Sequence, residues 1–204
     1  ELYQVPVTGG KAIRLLTTPA LNAHFDASGN LLVFHDWKGY EDDLRKHHRS
    51  SVTRDIWAYD IKSGLYSQLT SYDGEDREPL VSPDGRTLYY LSEHGAGAVE
   101  GTNGFNVHKM AISGGPASQV SFMKHHPVRH LSISKAGVLC FSHHGELYTM
   151  IDGADPQKVK VRIAIDARDL PERTVSVNGK VSEFEVSPNG KEVVFVHRGE
   201  VFVA

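Results

Sequence analysis

Four stretches of this chain couple a polar turn ending in glycine to an apolar run, and they recur at nearly constant spacing. Asp26-Ala27-Ser28-Gly29 precedes Leu31-Leu32-Val33-Phe34, and Ser82-Pro83-Asp84-Gly85 precedes Leu88-Tyr89-Tyr90-Leu91. Ser134-Lys135-Ala136-Gly137 precedes Val138-Leu139-Cys140-Phe141, and Ser187-Pro188-Asn189-Gly190 precedes Val193-Val194-Phe195-Val196. The turn glycines therefore repeat at intervals of about 52–56 residues, a period that belongs to repeat architectures. Pro presets φ in such turns and Gly accepts the positive φ that follows.

A second hairpin completes each unit. Ile56-Trp57-Ala58-Tyr59-Asp60 runs into Lys62-Ser63-Gly64 and then Tyr66-Ser67-Gln68. Comparable pairs flank Thr8-Gly9-Gly10, Ser113-Gly114-Gly115 and Asp152-Gly153. Glycine turns between β-rich runs signal hairpins. Each repeat thus predicts four short antiparallel strands, which at this period make a β-propeller blade. The alternative is a β-sandwich of evenly spaced hairpins, but the units match in the order of their elements and not only in strand number. The fold class expected is all-β, four-stranded blades of an incomplete propeller. Residues 1–17 form half a blade, three full units follow, and 181–204 supply three strands of another. Phe34, Tyr90, Phe141 and Phe195 should sit at equivalent core positions, beside Leu32, Leu88, Leu139 and Val193. The third unit is the weak point, because its turn reaches Phe141 one residue sooner. A chain that opens mid-blade without methionine reads as cut from something longer, and the apolar edge Val201-Phe202-Val203-Ala204 invites pairing with a second copy.

Composition excludes several roles. The net charge of −3 argues against a nucleic-acid partner, which normally meets a basic surface. No apolar run approaches the roughly 20 residues of a membrane span. Cys140 is the single cysteine, so no internal disulfide or cysteine-built zinc site is available. No Gly-x-Ser-x-Gly elbow, His-Glu-x-x-His or Walker loop occurs, so no catalytic residue, cofactor or metal is expected. The pairs His47-His48, His125-His126 and His143-His144 do not alter this, since neighbours on a strand face opposite ways.

Longer stretches narrow the reading. Leu2-Tyr3-Gln4-Val5-Pro6-Val7-Thr8-Gly9-Gly10-Lys11, His47-His48-Arg49-Ser50-Ser51-Val52-Thr53-Arg54-Asp55-Ile56-Trp57, Gly74-Glu75-Asp76-Arg77-Glu78-Pro79 and Val196-His197-Arg198-Gly199-Glu200-Val201-Phe202-Val203 resemble the bacterial tricorn proteases. The Ser-Pro-Asp-Gly turns resemble TolB-like blades in general. The resemblance implies that 1–165 are the latter blades of a first, six-bladed propeller and that 166–204 are a linker and the first blade of a second. It implies a non-catalytic region that admits or guides peptide or unfolded-protein substrate toward a serine-peptidase domain outside this chain. The other domains of that protease would be its partners, homo-oligomers would be possible, and the periplasm would be its compartment, with the cytoplasm as the alternative. Two alternatives remain: a TolB-like protein-binding module, and the propeller of a prolyl-oligopeptidase-type enzyme.

The candidate contact residues lie mainly in the long connection from Trp37 to Arg54, where a short turn would suffice; such loops tend to be functional. Arg45, His47, His48, Arg49 and Arg54 are its candidates for an interface or for substrate. Arg45 and Arg49 could share a helical face and grip a carboxylate. Arg77, entering an innermost strand, is the sixth candidate, with Glu75 or a carboxylate of the next blade as its ion-pair partner.

Overall fold

A computed structural model describes residues 1–40, 51–95, 104–162 and 177–204. The described residues form strands and turns only, in two compact units, Glu1–Val161 and Arg162–Ala204. In the first unit, β1 (Leu2–Gln4) and β2 (Ile13–Leu16) form a two-stranded sheet. Three four-stranded antiparallel blades follow. The first holds β3 (Ala20–Phe25), β4 (Leu31–Asp36), β5 (Ile56–Asp60) and β6 (Tyr66–Gln68) in sequence order. The second holds β7 (Asp76–Val81), β8 (Thr87–Ser92), β9 (Asn106–Ala111) and β10 (Ser118–Gln119). The third holds β11 (Val128–Ile133), β12 (Leu139–His143), β13 (Glu146–Met150) and β14 (Gln157–Lys158). In the second unit, β15 (Val181–Val186), β16 (Val193–His197) and β17 (Glu200–Val203) make a three-stranded meander. These are the blades of an incomplete β-propeller.

The turn chemistry explains the repeat. Ser82 Oγ bonds Asp84 Oδ1 and accepts from Thr87 N at 2.9 Å, while Asp84 Oδ1 accepts from Arg86 N at 3.1 Å. Ser187 and Asn189 reproduce this set, with Glu192 N at 3.0 Å and Lys191 N at 3.1 Å. In the first blade Asp26 takes the serine's place, and its Oδ1 accepts from both Asn30 N and Leu31 N at 2.9 Å. Gly85 and Gly190 stand at φ 71° and 65°, where a Cβ would strain the backbone.

The third unit keeps the register despite its shorter turn. Phe25, Val81, Ile133 and Val186 end the four first strands, and they pair with Leu32, Leu88, Leu139 and Val193. The missing residue is absorbed in the turn, where Ser134 N bonds Val138 O four residues on. Leu32, Phe34, Leu88, Tyr90, Leu139 and Phe141 are all buried. Each contributes about 1.5–3 kcal/mol relative to exposure. Phe195 and Val193 occupy the same register but are only half-buried. Successive residues of a middle strand serve two interfaces: Leu88 and Tyr90 pack toward Val33 and Ile56, while Tyr89 and Leu91 pack toward Val128 and Phe141. That alternation follows from the two-residue period of a strand. In the second unit β17 is an outer strand, with Val201 and Val203 exposed at 68% and 69%.

Candidate functional site

The first strand of each blade carries one extra residue against its partner. Leu21 faces His35 while His24 faces Val33; Arg77 faces Leu91 while Leu80 faces Tyr89; Arg129 faces Ser142 while Ser132 faces Cys140. The residue opening each bulge lies at positive φ: Asn22 at 47°, Glu78 at 52° and His130 at 57°. A β-bulge re-aims side chains and is often found beside functional sites. None of the three is glycine, so each position costs roughly 1–3 kcal/mol that its surroundings must offset.

These bulges line a cleft of about 230 Å³ together with Leu21, His35, Trp37, Arg54, Arg77 and Arg129. Glu78 joins the three blades there. Its N–H donates to His35 Nδ1 of the first blade at 3.1 Å, and its Oε2 accepts from Leu131 N of the third at 2.7 Å. The first bond makes Nδ1 of His35 an acceptor and places the ring proton on Nε2.

A buried ion cluster supports the cleft. Glu75 is fully buried and its Oε1 lies 2.9 Å from Arg54 Nη1 and 3.9 Å from Arg77 Nη1. Arg77 Nε lies 3.9 Å from Glu78 Oε1, and its guanidinium sits 4.3 Å over the ring of Phe105. Arg54 sits 5.6 Å over Trp37. Burial pushes the Arg77 guanidinium down from its usual value, against the pull of Glu78 and Glu75. Two cations, two carboxylates and two aromatic faces thus hold one another where the blades meet.

Of the six residues singled out in the sequence, Arg54 and Arg77 come together around Glu75 and reach the cleft. Arg45, His47, His48 and Arg49 lie outside the described residues. His35, Glu78, Arg129 and His130 also line the cleft but were not among the six. One sign was available: Asn22, Glu78 and His130 each stand seven residues before a turn glycine. Among the described residues, no three His, Cys, Asp or Glu side chains are grouped to hold a metal ion. His126 and His144 stack face to face at 4.0 Å instead of converging through their nitrogens.

Bulged first strands, hydroxyl-capped turns and packed four-stranded sheets define this chain as blades of a β-propeller. The chain is 27% identical over 213 residues to the tricorn protease of Thermoplasma acidophilum, an alignment covering 99% of this chain and 17% of that protein. A crystal structure of the tricorn protease superposes with a TM-score of 0.67 at 20% identity, over 98% of this chain and 18% of that one. A TolB-like protein from Agrobacterium tumefaciens superposes with a TM-score of 0.60 at 20% identity, over 76% of this chain and 55% of that one. No family model matches the chain. These similarities bear out the resemblance read from the sequence, and the structural ones speak to the fold. The chain spans less than a fifth of the length of the tricorn protease it matches.

Proposed function

We propose that this chain is the non-catalytic propeller region of a tricorn-like serine peptidase, and that it admits or guides peptide substrate toward a catalytic domain outside these residues. The observation that carries the reading is the similarity to a tricorn protease along almost the whole chain. The inner-strand cleft supports it, because peptide-handling needs a concave polar surface held by rigid strands. In this reading residues 1–165 belong to one propeller and 166–204 begin another, other domains of the peptidase are its partners, the assembly is oligomeric, and the compartment is the periplasm.

The test is photo-crosslinking of a labelled unstructured peptide to the purified chain, with hydrolysis followed in parallel. Saturable adducts on β3, β7 and β11, without turnover, are expected. Adducts confined to the outer strands, or no saturable binding, would overturn the reading. A second reading, a TolB-like protein-docking module, draws on the 76% of the chain that superposes on the Agrobacterium protein. It would be favoured by saturable binding of a folded partner that the unstructured peptide does not displace.

A further inference from the structure

A second cleft, of about 420 Å³, lies in the first unit where the end of the first blade meets the second, and it shares no lining residue with the inner-strand cleft. Asp73 and His94 are exposed at its mouth, whereas Thr70, Asp76 and Ser92 are buried at its floor. Asp76 is 2% exposed, and its Oδ1 has no hydrogen-bond partner. Two hydroxyls bond the same carboxyl. Thr70 Oγ1 accepts from Ile56 N at 2.9 Å and Ser92 Oγ accepts from His94 N at 2.9 Å, so each keeps its own hydrogen for Asp76. A carboxyl that receives two O–H donors is set up as an acceptor, and its remaining oxygen calls for another donor. Leaving a buried acceptor unfilled is costly, and an ionised one more so.

We propose that this cleft is a binding site for a primary ammonium group, the kind carried by a lysine side chain or by the amino terminus of a peptide. The missing donor has to bring positive charge with it, because the charges of Asp55 and Glu75, both negative, already bear on Asp76. None of the described residues lining the cleft is a lysine or an arginine, and Asp73 adds a second carboxylate at the mouth. An ammonium offers three N–H donors on a compact charge, one of which suffices for Oδ1. Tyr72 and His94 meet edge to face at 4.8 Å in the lining, and such rings attract cations. The site does not depend on the peptide-guiding reading, since a small amine tests it alone.

Titratable groups come to Asp76 from every neighbouring element. Asp55 precedes β5, Asp73 and Glu75 precede Asp76 on its own segment, and Tyr90 stands on β8. Glu93, just past β8, accepts from Glu75 N at 3.4 Å through Oε2. His108 of β9 lies behind His94, with ring centroids 6.2 Å apart. Burial raises Asp76 from 3.8 to about 7, opposed by the two hydroxyls and helped by the charges of Asp55 and Glu75. An ammonium pairs with the ionised carboxyl only, so below pH 7 it must first displace the proton. Its apparent affinity therefore drops as pH falls, by up to about tenfold per unit. Above 7 the affinity levels off until the amine itself loses its proton, at about 10.4 for lysine.

Magnetic-resonance titration of the 15N-labelled whole chain at pH 7.5 tests this with small probes. Acetyl-lysine methylamide carries a side-chain ammonium alone, alanine methylamide an α-ammonium alone, and acetyl-norleucine methylamide neither. Saturable shifts of the Ser71, Ser92 and His94 amides are expected with one or both ammonium probes, which identifies the source, and none with the norleucine compound. Tetramethylammonium, a cation without N–H, should bind at least about tenfold more weakly. Asp76→Asn should weaken binding by about tenfold to a hundredfold and abolish its fall between pH 7 and 5.5, whereas His94→Gln should keep that fall. In wild-type protein carrying 13C-aspartate, saturating probe at pH 6.5 should move one carboxyl resonance from its protonated to its ionised position. The proposal is overturned by the absence of saturable shifts with both ammonium probes, by equal binding of tetramethylammonium, by an Asp76→Asn chain that binds like the wild type, or by a carboxyl that stays protonated in the complex.

Discussion

Glu75→Gln is the most informative single change in the buried cluster. The substitution keeps shape and hydrogen-bonding capacity and removes one charge. It leaves Arg54 and Arg77, 3% and 4% exposed, with one buried counter-charge fewer. Breaking a buried ion pair from one side costs about 3–5 kcal/mol, because the surviving charge stays desolvated. Both tryptophans, Trp37 and Trp57, lie in the first unit, so their fluorescence in urea reports on its stability. With a slope of about 2–3 kcal/mol/M, the midpoint should fall by about 1–2 M. Removing both partners, as Arg54→Met with Glu75→Leu, should recover most of the loss, since an apolar replacement of a buried pair is often neutral. A loss below about 1 kcal/mol for Glu75→Gln at unchanged slope would show that the cluster is wet or that its charges are paired elsewhere. A double variant as unstable as the single one would refute the desolvation argument itself.

Phe141→Ala should cost about 3–5 kcal/mol in urea unfolding, because the ring is fully buried between the second and third blades. Glu78→Ala should cost about 1–3 kcal/mol by leaving the Leu131 N–H without its acceptor, whereas Glu78→Gln keeps an acceptor and should cost less than about 1 kcal/mol. His108 is 2% exposed, and burial holds it at about 4 instead of 6.5. The unfolded chain takes up that proton below pH 6.5 and the folded chain only near 4, so stability is lost as pH falls through this window, by up to about 3 kcal/mol. His108→Asn should flatten that acid limb in melts recorded from pH 4 to 7, and an unchanged limb would assign it to other groups.

The blades themselves were legible in the sequence because each depends on contacts close along the chain. A Ser-Pro-Asp-Gly turn closes through its own side chains, and Gly85 meets a backbone angle that other residues resist. Strand alternation then decides which residues face each interface, so Leu32, Leu88 and Leu139 were recognisable as core from spacing alone. The one-residue shortening before Phe141 looked like a break in register, and the turn absorbed it. The half-burial of Phe195 and Val193 went unforeseen, since spacing places a residue on a face without saying what covers that face.

Tertiary structure decided the site. Arg54 and Glu75 stand 21 residues apart, and Glu78 and Leu131 stand 53 apart, on different blades. No local pattern reports distances across such gaps. Asn22, Glu78 and His130 share neither size nor charge, and what they have in common is a bulged backbone at the inner edge of a sheet. Asp55 and Asp76 stand 21 positions apart in the sequence, with nothing local to mark either as buried. Packing one blade against the next buries both, and burial raises each carboxyl above its usual value.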